Sequence, residues 1–290
     1  MNEHVLACPV CQRPLQQHNK QWSCDQQHHF DQARQGYINL LLPQRKRSKS
    51  PGDDNDMVLA RQRFLNSGLY QPISDWLNHA VLTHAQHSAH SDHIVDVGCG
   101  EGYYSQRLAD TLRQHSPNLH LYGIDISKEA VRRATQRSRD VFWLVASGAD
   151  MPILPNRVDI LVSLFTGLMP EGFRPVMAKH GQIFTVNAGA KHLHQLRHIL
   201  YDNVRESDYT PTPRMGEHFD CLNDSTLTFD IALKGTQQIT DLVAMTPHHW
   251  RINQAARDRL AQVNELTVTV DVVMHQFAVK TAQGVEHDAH

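Results

Sequence analysis

The chain has 290 residues, 28 Lys and Arg against 30 Asp and Glu, and 40% hydrophobic residues, for a formal net charge of −2. These values describe a soluble globular protein of one large domain, or one domain with an appendage, and they exclude a polycation and a disordered chain. No run of 18 apolar residues occurs, MNEHVLACPV has no basic-then-apolar leader pattern, and five cysteines are too few for a secreted disulfide framework of this size. A reducing cytoplasm is the expected compartment.

The first element in the chain is a cysteine cluster. Three of the five cysteines fall between Cys8 and Phe30, spaced Cys8-x2-Cys11-x12-Cys24-x3-His28. A CxxC pair on a tight turn offers two thiolates to one ion, and a second pair beyond a short hairpin completes a tetrahedron. Three sulfurs and one imidazole leave no position open for water or substrate, so the expected zinc is structural. His28 and His29 compete for the fourth place, and the x3 spacing favours His28. Pro9 and Pro14 read as turn residues, against a redox CxxC in a βαβ context. A module of about 40 residues cannot fold on its own core, whereas structural zinc contributes on the order of 10–16 kcal/mol of apparent binding energy.

GYINLLL, residues 36–42, closes this module as a strand-like apolar run. PQRKRSKSPGDDND follows as a connector without apolar periodicity, carrying the basic run Arg45, Lys46, Arg47 and Lys49. Such a run is a solvated linker unless a nucleic acid is implied elsewhere. MVLARQRFLNSGLY and PISDWLNHAVLTHA have helical spacing, with Gly68 stopping the first helix and Pro72 starting the second. The boundaries expected are a zinc-binding module at 1–42, a basic linker with connecting helices at 43–90, and the main domain at 91–280.

IVDVGCGEGYYSQRL, from Ile94 to Leu108, is a strand, a glycine turn and a helix in one line. Gly98, Gly100 and Gly102 let a ligand approach the backbone. Asp125 ends the next strand, LHLYGID, 25 residues after Gly100, where a carboxylate can hold two ribose hydroxyls. Strands at 141–146, 158–165 and 181–187 alternate with helical stretches, which predicts a doubly wound parallel sheet with its site at the carboxyl ends. Two further strands, 227–233 and 266–279, predict an antiparallel finish. The turn reads G-C-G-E-G rather than GxGxxG, and Asp96 stands two residues before its first glycine. That D-x-G-x-G-x-G form resembles motif I of class I S-adenosylmethionine-dependent methyltransferases, with a nicotinamide enzyme and an inactive nucleotide-like fold as the other readings.

The ribbon, the PGD connector, the helix ending G-x-Y-Q-P, the DVGCGEGYY turn and the late MTPHHW segment together resemble the RlmA-type 23S rRNA (guanine-N1)-methyltransferases. The resemblance runs from Cys8 to about Phe277. It implies a Rossmann-like seven-stranded α/β sheet with an N-terminal zinc module, and a homodimer that methylates N1 of a guanine in a 23S rRNA hairpin loop. It also implies zinc on Cys8, Cys11, Cys24 and His28, and cofactor contacts from Tyr70, Gly100, Glu101 and His192, beside the motif residues Asp96, Gly98, Gly102 and Asp125. Ser147 stands where many class I methyltransferases carry an aspartate. SLFTGLMP, Ser163 to Pro170, departs from the family's aromatic-Ala-Pro segment beside the target base. Guanine N1 must lose a proton, and Asp150 and Glu171 are candidate acceptors, with the base left unassigned. Phe165, Tyr103 and Tyr104 are candidate stacking platforms.

Overall fold

The computed structural model describes residues 4–45, 52–88, 93–115, 119–204 and 209–280. The basic residues Lys46, Arg47 and Lys49 lie outside them, as does the side chain of Arg45.

The N-terminal module is a three-stranded antiparallel sheet of β1 (Gln16–His18), β2 (Gln21–Ser23) and β3 (His29–Asp31). β4 (Ile38–Asn39) follows it. The connecting helices are α1 (Asn55–Asn66) and α2 (Gln71–His87). Asp54 caps α1 by accepting from the Met57 amide, and Gly68, at φ +80°, turns the chain between the two helices.

Alternation then sets in: β5 (His93–Val97), α3 (Tyr103–His115), β6 (His120–Asp125), α4 (Lys128–Arg137), β7 (Val141–Val145), β8 (Val158–Leu164), α5 (Pro170–Phe173), β9 (Met177–Ala188) and α6 (His194–Leu200). The chain ends with α7 (Thr212–Met215), β10 (Phe219–Lys234), α8 (Thr236–Ala244), α9 (Gln254–Ala261) and β11 (Glu265–Val279). Near-continuous apolar runs such as VDILVSL suit parallel strands covered on both faces.

The large sheet has eight strands in the order β10-β11-β9-β8-β5-β6-β7-β4. The expected count of seven is corrected by β4, which pairs in parallel with the outer edge of β7 through Ile38 and Asn39. Leu40 continues the contact, its amide donating to the Val145 carbonyl at 2.9 Å. Without this addition β7 would present a row of unpaired backbone groups. β10 and β11 are the expected antiparallel pair, although β10 begins eight residues before its apolar run at Leu227, in polar sequence.

The two faces of the sheet are covered differently. Ile94, Ile160 and Val162 pack with residues of the helices, among them Phe64, Ile73, Leu108, Val131 and Leu242. Val95, Val97 and Ile124 point the other way and pack with Leu6, Leu15 and Trp22 of the ribbon, together with Phe173 and Met215. The ribbon is therefore a layer of the fold, fixed to the sheet by backbone pairing as well: the Ala7 amide donates to the Pro152 carbonyl at 2.9 Å. Burying a side chain of the size of Leu6 contributes about 1.5–3 kcal/mol.

Candidate metal centre and active-site cavity

The four expected zinc ligands converge. Sγ of Cys8, Cys11 and Cys24 and a ring nitrogen of His28 all lie within 4.8 Å of one another. Cys11 Sγ and Cys24 Sγ are 3.6 Å apart, and His28 Nδ1 lies 3.3 Å from Cys24 Sγ and 3.6 Å from Cys8 Sγ. A tetrahedron with Zn–S bonds of ~2.3 Å has edges of about 3.7 Å, so these separations suit one zinc ion. All three thiols are free of disulfides, and His28 rather than its neighbour takes the fourth corner. Each knuckle turn ends on a left-handed glutamine, Gln12 at φ +60° and Gln27 at φ +60°. Glycine would be the unstrained choice at both, and although the CxxC spacing and the prolines mark the first turn, nothing in the sequence marks these two residues as left-handed.

A cavity of about 1240 Å³ opens at the carboxyl ends of the parallel strands, beside the switch from β5 to β8. That exceeds the usual range for one small ligand, about 300–1,000 Å³, and leaves room for a second group. Tyr70, Asp96, Gly98, Gly100, Glu101, Asp125 and His192 all line it. Gly102 does not: at φ +86° it serves packing, because an added Cβ would sit 2.7 Å from the Trp143 ring.

One end of the cavity is acidic. The Gly98 amide donates to the Ile124 carbonyl at 2.8 Å, tucking the glycine turn against the end of β6. Gly98 itself is at φ +77°, and a Cβ there would meet Thr166 at 2.8 Å. Asp125 accepts from the Gly100 amide at 2.9 Å and from the Ser127 amide at 2.7 Å, which fixes both oxygens at the cavity wall. Burial pushes its pKa up, and the two amides oppose that shift. Asp96 is raised to about 7 by burial, against the hydrogen bond it accepts from Ser105 Oγ at 2.5 Å. Glu101 is ion-paired through one oxygen with Arg137, and burial raises its pKa against that pairing.

Three buried polar atoms at this wall have no protein partner: Tyr70 Oη, Tyr104 Oη and Glu101 Oε1. Orphaned donors and acceptors at the lining of a cavity fit a bound polar ligand with an amino-acid end and a ribose. S-adenosylmethionine meets that description. Two cavity-lining groups that motif reading missed, Asp53 and Arg61, come from the connector and from α1. Nothing in their spacing marks them; they arrive because Ser127 Oγ donates to the Asp53 carbonyl at 2.9 Å.

The other end is aromatic and basic. Phe165, at φ +52° and 42% exposed, stands at the end of β8. Its ring centroid lies 6.0 Å from His192, 6.4 Å from Tyr70 and 6.5 Å from Tyr104. The first two rings are tilted from it by 32° and 33°. Two contacts of about 3.5 Å would separate rings enclosing a planar base by about 7 Å, so a small opening of this slot admits one. Tyr103 also lines the cavity, but its ring is occupied by Arg107 and Arg137 at 5.7 and 5.5 Å. His192 Nδ1 accepts from the Asp271 amide at 3.3 Å, and burial lowers the imidazole to about 4. Beyond the slot stand Arg197, Arg214 and Arg251, with Tyr201 Oη 2.8 Å from His248 Nδ1. Burial also lowers His248. Asp150 and Glu171, the acids considered for proton transfer, are exposed and do not line the cavity.

This chain is similar to several known proteins. The family described as "RlmA, N-terminal", a zinc ribbon, matches residues 6–49, and a methyltransferase-domain family matches residues 88–164. The 23S rRNA (guanine(748)-N(1))-methyltransferase of Streptomyces fradiae is 29% identical over 91% of this chain and 94% of its own. A protein of Micromonospora griseorubida, provisionally named a 23S rRNA (guanine-N(1)-)-methyltransferase, is 30% identical over 94% of this chain and 96% of its own. Among solved structures, the plantazolicin methyltransferase BpumL in complex with SAH is 12% identical, with a TM-score of 0.45, over 79% of this chain and 92% of its own. With the ribbon and the cavity both in place, and likeness running through nearly the whole of both chains, this chain belongs to the 23S rRNA (guanine-N1)-methyltransferase family.

Proposed function

We propose that the chain transfers the methyl group of S-adenosylmethionine to N1 of a guanine in 23S ribosomal RNA, and that the guanine lies in an unpaired hairpin loop. The observation that carries the reading is the two-ended cavity: an acidic, backbone-rich wall for the cofactor, facing an aromatic slot rimmed by arginines. A base must leave its stack to enter such a slot, which favours a loop nucleotide. A small-molecule enzyme has no use for the rim or the ribbon.

The cofactor supplies an electrophilic methyl on sulfur, and the protein supplies alignment. Asp125 holds the ribose hydroxyls with the lone pairs its two amide bonds leave free. Asp96 and Ser105 brace the glycine turn from below, Tyr70, Gly98, Gly100 and Glu101 complete the cofactor wall, and His192 reaches the cofactor from the aromatic end. Phe165 stacks on the guanine. No carboxylate lines the mouth among the described residues, and His192 Nδ1 already accepts from the Asp271 amide, which leaves Nε2 protonated, so the neutral imidazole of His248 is the lining group there that can turn a basic nitrogen to the N1 proton. The arginines meet phosphates. Residues 1–42, with the basic connector from 43, dock the RNA, and residues 91–280 perform the transfer. The family resemblance extends the reading to a cytoplasmic homodimer, which sedimentation of the purified chain would test.

Incubating the protein with methyl-labelled cofactor and unmodified 23S rRNA should place label on a single guanine, identified as N1-methylguanine by nuclease digestion and mass spectrometry. Label on small-molecule acceptors with none on RNA would sink the reading.

A further inference from the structure

The cofactor end of the cavity is lined by four carboxylates, Asp53, Asp96, Glu101 and Asp125. Among the described lining residues, the cation at that end is Arg61. Its guanidinium projects from α1 across the glycine turn, with Nη1 3.6 Å from where a Cβ on Gly100 would stand. Nη1 donates to Asp53, and Nη2 donates to the Met245 carbonyl at 3.3 Å. The side chain is 25% exposed, so it faces the cavity rather than bulk water.

We infer that Arg61 binds the α-carboxylate at the amino-acid end of S-adenosylmethionine. The inference rests on the cofactor reading and adds a residue to it. A ligand carboxylate brought among four acidic side chains would be repelled without a local cation, whereas the ligand's ammonium and ribose are served by those same acids. A guanidinium carries five N–H donors in a rigid fork. The contacts to Asp53 and Met245 hold that fork over Gly100 and leave further donors for the ligand. The glycine turn explains the rest of the geometry: it has no side chain at Gly100, so nothing stands between the fork and the ligand.

Calorimetry on the full chain tests this with two ligands, S-adenosylhomocysteine and 5′-methylthioadenosine, which keeps the adenosine thioether and lacks the amino-acid end. Arg61→Met should weaken S-adenosylhomocysteine about 10- to 100-fold, the range for a hydrogen bond to a charged group, and leave methylthioadenosine unchanged. Arg61→Lys, which keeps the charge and most of the stem, should show the same selectivity with a smaller loss, and it carries the test if the Met variant fails to fold. Equal losses for both ligands, or none for either, overturn the assignment. A parent protein that binds neither ligand would instead remove the cofactor reading beneath it.

Discussion

The acidic end of the cavity and its basic mouth differ in how they are built as much as in charge. At the acidic end Asp96, the glycine turn and Asp125 come from two neighbouring strands, with Asp125 held by two backbone amides and Asp96 by the Ser105 hydroxyl. At the mouth, Phe165, His192, Arg214 and His248 come from four separate segments and line one cavity, with the Phe165 and His192 rings 6.0 Å apart. A cofactor of fixed shape suits the first construction. An RNA base that must be drawn out of its stack suits the second, because its contacts can close after binding. The comparison makes the two ends separable by experiment.

The largest expected effect is on stability. Asp96 and His192, one from each end, are both buried with shifted pKa values, and they tilt stability in opposite directions. Folded Asp96 titrates near 7 against an ordinary value near 3.8, so the fold favours its proton and loses stability as pH rises between those values. Folded His192 titrates near 4 against 6.5, so the unfolded chain binds the extra proton, and stability falls as pH drops from 6.5 toward 4. Each group is worth on the order of 3 kcal/mol across its window. Asp96→Asn should therefore leave a melting temperature that rises with pH between 4 and 6.5, relative to the parent. His192→Asn should make it fall over the same range. Parallel profiles for all three proteins would show that the two ends are not opposed.

Next comes cofactor affinity. Asp125→Ala should cost about 1.5–3 kcal/mol in S-adenosylhomocysteine binding, measured by calorimetry, with RNA affinity unchanged. A comparable loss in RNA affinity would mean that the two ends are one coupled site.

Legibility in the sequence follows the same division. The acidic end could be read because a strand, a turn and the end of the next strand are contiguous or at a fixed distance, so spacing alone places Gly100 beside Asp125. The zinc set could be read for the same reason, since Cys8, Cys11, Cys24 and His28 lie within one hairpin. Arg61 could not, because its position depends on how the connector docks on the turn after β6. The eighth strand was legible as the apolar run GYINLLL, but its place beside β7 was not, because a two-residue pairing leaves no mark in the sequence. The acids Asp150 and Glu171 were attractive as neighbours of strand ends, yet both are exposed, Glu171 in the first turn of α5, and neither lines the cavity. α8 lies between β10 and the MTPHHW segment, and it packs Ile239 and Leu242 into the helical face without any motif to announce it.

Phe165 sharpens the account of the mouth. Phe165→Ala should lower kcat/KM for RNA by the equivalent of about 1–3 kcal/mol, the usual worth of one aromatic platform under a base. S-adenosylhomocysteine binding should stay as it was, and Phe165→Trp should retain most of the activity. An alanine variant with full RNA turnover would leave the left-handed, exposed phenylalanine without a function.

The smallest effect separates the mouth from the connector as the place where phosphates are met. Arg214 and Arg251 are exposed at the rim, and Arg45, Lys46, Arg47 and Lys49 stand between the ribbon and α1 in sequence. Each single-strand phosphate neutralised adds about 0.7 to the slope of log affinity against log salt. Replacing both rim arginines with Gln should flatten that slope by up to about 1.4, measured on a 23S rRNA fragment across a salt series. Replacing the four connector residues should flatten it by up to about 3 if all of them meet phosphates. Neither set should alter cofactor binding, since the acidic end owes nothing to them. A slope changed by the connector set alone would make the rim arginines structural, and the mouth would then recognise the base while the ribbon side holds the backbone. A slope changed by the rim set alone would make the connector a solvated linker, with the whole grip on RNA gathered at the place where the methyl is transferred.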